Sequence, residues 1–266
     1  MENKQEIPKV IHYCWFGGKP LPQLAKKCIA SWKKYLPDYE IKRWDESNFN
    51  VNIIPYTKES YEAKKYAFVS DYARLWILYN YGGIYFDTDV EVIKSLEPII
   101  ENGPFLGFED NEKLTQDKGE FKDLLINDVN PGLGMAAYPS MLFYKELMSI
   151  YENKKFKLKD NKINLIPIGH YTTKLLQKKG LEDKVIIQNI DNINIYPKEY
   201  FCPINYHTNN IHITSNTYTI HHFSASWISN YDKFKKYIAK LIGKNNTNKI
   251  IKLKELIKTK NLKSKF

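Results

Sequence analysis

The sequence predicts an α/β fold: a Rossmann-like, mostly parallel central sheet with helices on both faces, followed by a helical C-terminal tail. Three observations carry this expectation. Short apolar runs bounded by turn residues alternate with stretches of helical periodicity from residue 9 onward, the β-α-β-α rhythm that builds parallel sheets. No linker rich in Pro, Gly or Ser splits residues 1–230, so the body reads as one domain, with 231–266 as an appended tail. The 266 residues are 43% hydrophobic and 14% aromatic, enough to build a sizeable core and to exclude a mainly disordered chain.

The elements follow in order. The run "KVIHYCWF" (Lys9–Phe16) is a compact strand feeding the loop "GGKPLP". In "LAKKCIASWKKYL", Leu24, Cys28 and Trp32 recur at helical spacing with lysines opposite, the pattern of a helix with one buried face. "YEIKRW" (Tyr39–Trp44) is a short strand, and "DESN" after it is turn chemistry. The spacing predicts one long helix over "SYEAKKYAFVSDYARLWILYNYGG", stopped by Gly82–Gly83. The strand "IYFDTDV" follows directly, then a strand at "GPFLGFE" (Gly103–Glu109) and a polar stretch over 110–130 expected to form loop or short helices. "GLGMAAY" leads to helices at "MLFYKELMSIYEN" and "GHYTTKLLQKKG", and "INIYP" and "TYTIHHF" are late strands.

The net charge of +10 belongs to one end. Residues 231–266 hold twelve lysines against Asp232 and Glu255, which leaves the preceding body balanced. A nucleic-acid-binding role is therefore disfavoured, since the body shows neither a basic patch interleaved with aromatics nor a recognised motif. In the tail, Phe234, Tyr237, Ile238, Leu241 and Ile242 fall on one helical face, and Ile250, Leu253, Leu256 and Ile257 repeat the pattern. A basic amphipathic helix suits an anionic membrane surface; the rival is a helix packed on the body with a solvated lysine end. Cys14, Cys28 and Cys202 are widely spaced and odd in number, which argues for free thiols in a reducing cytoplasm. The N-terminus lacks the apolar core of a signal peptide, and no apolar run approaches the ~20 residues that cross a bilayer. The expected location is cytoplasmic, peripheral on the inner face of the cell membrane.

The chemistry concentrates in "YGGIYFDTDV" (Tyr81–Val90). Asp87 and Asp89 repel one another unless something positive lies between them. Strand residues alternate faces, so Tyr85, Asp87 and Asp89 point to one side, the carboxylates ~7 Å apart, and Ile84, Phe86 and Val90 are left for the core. One carboxylate could then bind a hard cation while the other holds a hydroxyl or a cation-bound water; a solvated strand end is the simpler alternative. Position favours the cation, because α/β proteins bind ligands at the C-terminal sheet edge. Upstream, Ser70, Asp71 and Arg74 share a helical face. An exposed Asp71–Arg74 pair would be worth only ~0.3–0.5 kcal/mol. Arg74, however, is one of very few arginines in a lysine-rich chain, and its planar fork suits diphosphate or sugar oxygens. His12, inside an apolar strand, reads as a core histidine. "NPGLGMAA" (Asn130–Ala137) fits either an acceptor loop or a turn into a buried strand, and His170 reads as a helix-start residue.

"FVSDYARLWILYNYGGIYFDTDV", with "IPKVIHYCWFGGKPLP" before it and "YTIHHFSASW" after, resembles the glycosyltransferases that carry a sugar-binding region containing a DXD motif, glycosyltransferase family 32. It is similar too to the catalytic domains of the large clostridial glucosylating toxins. The resemblance is strong over 7–110 and returns over about 195–228. It implies a GT-A fold, a nucleotide-sugar donor (a UDP-hexose favoured, GDP-mannose the alternative) and Mn²⁺ or Mg²⁺. Residue by residue, it implies that Trp15 stacks on the donor base, with Cys14 beside it among the donor-binding residues. Asp71 and Arg74 would hold the donor sugar, with Ser70 near the nucleotide, and Tyr85 would line the pocket. Asp87 would contact ribose or sugar and metal-bound water, Asp89 would ligate the metal, and Ser226 and Trp227 would close over the diphosphate. His221 or His222 would complete the metal site; adjacent strand residues face opposite ways, so at most one can, and His221 is favoured. The expected function is retaining, metal-dependent hexosyl transfer to a glycan or lipid-diphosphate-linked saccharide in bacterial surface (capsular) polysaccharide synthesis. The alternatives are a toxin-like transferase acting on a protein side chain and, from another class, a basic nucleic-acid-binding protein.

Overall fold

The computed structural model describes residues 5–110, 121, 123–124, 127–159, 162–205 and 210–224. Ser226, Trp227 and the tail from 231 lie outside the described residues. The chain divides into units 1–223 and 224–266, and every element below belongs to the first.

In chain order the strands are β1 (Val10–Cys14), β2 (Glu40–Trp44), β3 (Gly83–Tyr85), β4 (Val90–Val92), β5 (Phe105–Asp110), β6 (Asn127–Val129), β7 (Met135–Ala137), β8 (Gln188–Ile190), β9 (Ile193–Tyr196) and β10 (Thr219–His221). The helices are α1 (Gln23–Tyr35), α2 (Pro55–Glu62), α3 (Tyr66–Tyr81), α4 (Glu97–Ile100), α5 (Leu142–Glu152) and α6 (Ile168–Lys178). The main sheet runs β2-β1-β3-β7-β5-β9-β8, with β6 on β5, and β4 pairs with β10 in a separate antiparallel ribbon. Along the main path β2, β1, β3, β5 and β9 share one direction, while β7 and β8 are reversed. The expected mostly parallel sheet is present, with one reversed strand at its middle.

Alternation along β1 and β3 builds a core on each face. Ile11, Tyr13 and Ile84 pack with Cys28 and Trp32 of α1 and Ile99 of α4. Cys14 and Tyr85 face the other way, among residues of α2, α3, α5 and α6. α3 is apolar nearly all round and buried along most of its length, as a helix packed on several sides must be. Its stop is steric: Gly82 and Gly83 have φ of 63° and 90°, and a Cβ on Gly83 would lie 2.7 Å from the Val10 carbonyl oxygen. Such a backbone admits little but glycine. His12 is the core histidine the sequence suggests. Its Nδ1 accepts from the Trp44 indole at 3.0 Å, its Nε2–H donates to the Gly82 carbonyl at 3.1 Å, and burial lowers its pKa to about 4.

Two expectations change. The long helix is two helices, because Lys64 adopts φ 56° and the Lys65 amide folds back onto the Ser60 carbonyl at 2.9 Å. The strand "IYFDTDV" ends at Tyr85. Asp87, Thr88 and Asp89 form a turn closed by the Val90 amide on the Asp87 carbonyl at 3.1 Å, and the chain then enters the β4–β10 ribbon. Tyr85, Asp87 and Asp89 therefore do not line one face of a continuous strand. α1 holds the departing segment: the Trp32 indole donates to the Val90 carbonyl at 2.7 Å, and the Val92 amide donates to Ser31 Oγ at 2.9 Å.

Candidate active site

The turn after β3 lies at the carboxyl edge shared by β1, β3 and β5, with α3 on one side and the β4–β10 ribbon on the other. Arg74 of α3 is its centre. Its Nη2 lies 3.0 Å from Asp71 Oδ1 and 3.2 Å from Asp87 Oδ1, and its Nη1 donates to Asp87 Oδ2 at 3.4 Å. Its Nε–H donates to the Ser70 carbonyl at 3.1 Å, and its guanidinium sits 4.9 Å from the centre of the Tyr85 ring. The Tyr85 hydroxyl donates to Asp87 Oδ1 at 3.1 Å. The Asp71–Arg74 pair is thus a buried one, Arg74 being only 3% exposed, and the surface-pair alternative fails. Removing one partner of such a pair strands the other charge, at a cost of about 3–5 kcal/mol.

One guanidinium thus faces two carboxylates. Burial pushes the Asp71 carboxyl up to about 7, against the pull of Arg74 and helped by the charge of Asp87. Burial likewise raises Asp87, again opposed by Arg74. Asp89 faces a second cation: its Oδ1 lies 3.5 Å from His221 Nε2. Burial disfavours the charged imidazole, but Asp89 and hydrogen bonds to Asp89, Cys202 and Glu109 outweigh it and hold His221 well above the ordinary histidine pKa. The repulsion between Asp87 and Asp89 is accordingly relieved by Arg74 and His221, so the acidic edge is not left unpaired.

The two histidines diverge as strand alternation requires. His222 Nε2 lies 2.8 Å from Glu91, away from Asp89, while His221 Nδ1 donates to Glu109 Oε1 at 2.9 Å. Cys14 is buried against Tyr85 and Ser70, and burial pushes its thiol up to about 12. Cys14 thus lies in the core beside two residues that the resemblance also assigns to the donor side. Trp15 is half-buried, and its indole N–H donates to the Lys19 carbonyl at 2.6 Å, closing the loop after β1. Ser70 spends its hydroxyl proton on the Tyr66 carbonyl at 3.1 Å.

Sequence reasoning missed Glu109 and Cys202, and it singled out the Asn130–Ala137 segment without giving Asn130 or Gly132 a role of its own. Asn130 Nδ2 donates to Glu109 Oε2 at 2.6 Å, and its Oδ1 accepts from the Gly132 amide at 2.8 Å. Gly132 lies so close to the acids that a Cβ there would stand 2.5 Å from Asp87 Oδ2. The Asn130–Ala137 segment is therefore both a turn into β7 and a wall of the site. His170 lies in the first turn of α6, as the sequence suggests, and is buried with its Nδ1 2.7 Å from Asp128 Oδ2. Among the described residues, Glu109, Cys202 and His221 bring ligand-type atoms within 4.8 Å of one another. An open groove of about 380 Å³ between α5 and α6 is lined by none of these residues.

Residues 22–106 match the family described as "Glycosyltransferase sugar-binding region containing DXD motif". The family match covers about a third of the chain. The matched span contains α1, α3 and the Asp87–Asp89 turn, so the resemblance read from the sequence holds where the carboxylates lie. Among curated proteins, the chain is 35% identical over 101 residues to inositol phosphoceramide mannosyltransferase 3 of Schizosaccharomyces pombe, covering 35% of this chain and 27% of that one. It is 27% identical over 113 residues to inositol phosphoceramide mannosyltransferase 1 of the same yeast, covering 38% and 34%. The chain spans about a third of the length of these relatives. Among solved structures it is similar to the PaToxG glycosyltransferase (TM-score 0.47, 18% identity, 66% of this chain and 72% of that one). It is also similar to the galactosyltransferase LgtC (TM-score 0.38, 15% identity, 72% and 74%). The mixed sheet with its separate ribbon has the α/β character expected from the sequence.

Proposed function

We propose that this protein is a metal-dependent, retaining glycosyltransferase that moves a hexose from a nucleotide-sugar to a glycan or lipid-diphosphate-linked saccharide in surface polysaccharide synthesis. The observation that carries the reading is the Asp87–Asp89 turn, with Arg74 locking the first acid and His221 facing the second, inside the matched DXD region. The donor set fits a divalent cation: a carboxylate oxygen and an imidazole nitrogen 3.5 Å apart are spaced as neighbouring ligands of one Mn²⁺ or Mg²⁺. Asp89 and His221 would hold the ion, with Asp87 reaching it through water. The ion supplies positive charge against the diphosphate as it leaves.

The chain's own residues do the positioning. Asp87, with both oxygens fixed by Arg74 and Tyr85, presents a rigid acceptor to a sugar or ribose hydroxyl. It is too fully engaged to serve as a nucleophile. The C1–O bond to the diphosphate breaks as the acceptor oxygen bonds C1 on the same face, and the acceptor proton passes to the leaving diphosphate. Trp15 provides a stacking surface for the base, and Ser226 and Trp227 are assigned to the diphosphate on the resemblance alone. A UDP-hexose is the favoured donor. The names of the two yeast relatives favour GDP-mannose as a second reading and add weight to an acceptor carried on a lipid phosphate. The basic amphipathic pattern of residues 231–266 supports docking on the inner face of the cell membrane.

The test is a donor-hydrolysis screen over UDP- and GDP-sugars, with Mn²⁺ or with EDTA, comparing wild type with Asp89→Ala. Turnover of one donor class, abolished by EDTA and reduced at least 10²-fold by the substitution, is expected. If no donor is bound or turned over, and Asp89→Ala changes nothing, the enzyme reading is wrong.

A further inference from the structure

Glu109, near the end of β5, joins two parts of the site that the chain supplies from distant positions. Its Oε1 accepts from His221 Nδ1–H at 2.9 Å, and its Oε2 accepts from Asn130 Nδ2 at 2.6 Å. Both acid–base partners are largely shielded, the side chains of His221 and Glu109 being 11% and 15% exposed. Because a carboxylate only accepts, the proton of this contact must sit on His221 Nδ1. Nε2 then carries either a proton or a lone pair, and it points at Asp89 Oδ1. With a proton there, the imidazolium pairs with Asp89; with that proton displaced, the lone pair and the carboxylate oxygen, 3.5 Å apart, are spaced as neighbouring ligands of one divalent cation.

The other arm of Glu109 reaches Asp87. Asn130, held by Glu109, accepts the Gly132 amide at 2.8 Å, and the Asn130 amide itself donates to the Gly107 carbonyl of β5 at 3.0 Å. This seats Gly132 against Asp87. One carboxylate thus sets the orientation of an imidazole beside Asp89 and the position of a turn beside Asp87. Cys202 adds a weak thiol contact to Glu109 Oε1 at 3.9 Å. The 2.9 Å Nδ1–Oε1 separation is that of a hydrogen bond, which leaves no space for an ion on that side of the ring.

We propose that Glu109 is the positioning residue of the cation site: it fixes His221 with Nδ1 protonated and Nε2 aimed at Asp89, and through Asn130 it holds the 131–133 turn against Asp87. The inference rests on the metal-binding reading above. Carboxylates that orient a ligating histidine typically contribute 10–100-fold to metal affinity.

The experiment measures Mn²⁺ affinity of the full chain, in the presence of UDP, from the electron paramagnetic resonance signal of free Mn²⁺. It compares wild type with Glu109→Gln, Glu109→Ala, His221→Ala and Asp89→Ala, each checked for folding by its thermal transition. Expected are a 10–100-fold loss for Glu109→Ala and a smaller loss for Glu109→Gln, whose amide oxygen can still accept from Nδ1. The ¹⁵N shifts of the His221 ring in the Mg²⁺-loaded state should report Nδ1–H in wild type and Glu109→Gln. If His221→Ala and Asp89→Ala weaken binding but Glu109→Ala and Glu109→Gln do not, the positioning role is refuted while the metal site stands. If Asp89→Ala leaves Mn²⁺ affinity unchanged, the metal site is misplaced and the role of Glu109 falls with it. Should Glu109→Ala fail to fold, Glu109→Gln decides alone: no loss of affinity overturns the proposal.

Discussion

At the scale of residues, Asp71 shows how a single buried guanidinium divides its charge. Its carboxyl titrates near 7 because burial raises it more than Arg74 lowers it. The unfolded chain releases that proton near the ordinary value of 3.8. Between these limits the folded state binds more protons than the unfolded one, so stability falls as pH rises from about 4 to about 7 and is steady above. Asp71→Asn removes the titration while keeping an oxygen for Arg74. The difference in unfolding free energy, variant minus wild type, should therefore rise with pH across that window by up to about 1.4 kcal/mol per unit. Urea titrations at several pH values check it, and parallel curves for the two proteins would show that Asp71 ionises normally. The residue types of this site were legible in the sequence: two acids at a strand end, a rare arginine one helix earlier and a late histidine. Their partnerships were not. Nothing local marks Glu109 as the mate of His221, 112 positions away, or tells that Arg74 spans Asp71 and Asp87. Such pairings are fixed by tertiary packing.

At the scale of elements, the sequence gives strands and helices in the right order but misses two breaks, each with a physical cause. Lys64 takes a left-handed conformation that its side chain does not advertise, so periodicity ran two helices together. The DXD turn was hidden inside an alternating apolar pattern that mimics a longer strand, although Asp and Thr are turn formers. The late turn at 130–134 carries the sharper test. Gly132 has an ordinary backbone; what it lacks is room, with Asp87 Oδ2 at 2.5 Å and Arg74 Nη1 at 3.4 Å from an added Cβ. Gly132→Ala must push the Asp87 carboxylate off Arg74 or displace the turn from Asn130. Donor turnover should fall at least tenfold, with a stability loss of only about 1–3 kcal/mol. A kinetic assay beside an unfolding curve separates the two. Unchanged turnover would mean that the position of Asp87 is not limiting.

At the scale of the whole molecule, charge is distributed by segment. The body up to residue 230 carries equal numbers of acids and bases, and the twelve lysines of 231–266 hold the surplus. Among the described residues no helix is long and apolar enough to cross a membrane. The surface attachment proposed above rests on the basic tail, whose apolar positions recur at helical spacing. Each lysine brought to an anionic surface is worth about 1 kcal/mol, and the attraction fades beyond a Debye length of about 8 Å at physiological salt. A balanced body contributes little at that range. Removing residues 244–266 deletes two-thirds of the tail's lysines. Partitioning onto vesicles containing anionic phospholipid should then drop at least tenfold in sedimentation assays. The full chain should bind anionic vesicles far better than zwitterionic ones and be released by salt. Donor hydrolysis, which needs only the body, should survive the deletion. Equal partitioning of the full and shortened chains would remove the tail from membrane docking and favour its packing elsewhere, while leaving the chemistry of the Asp87–Asp89 turn untouched.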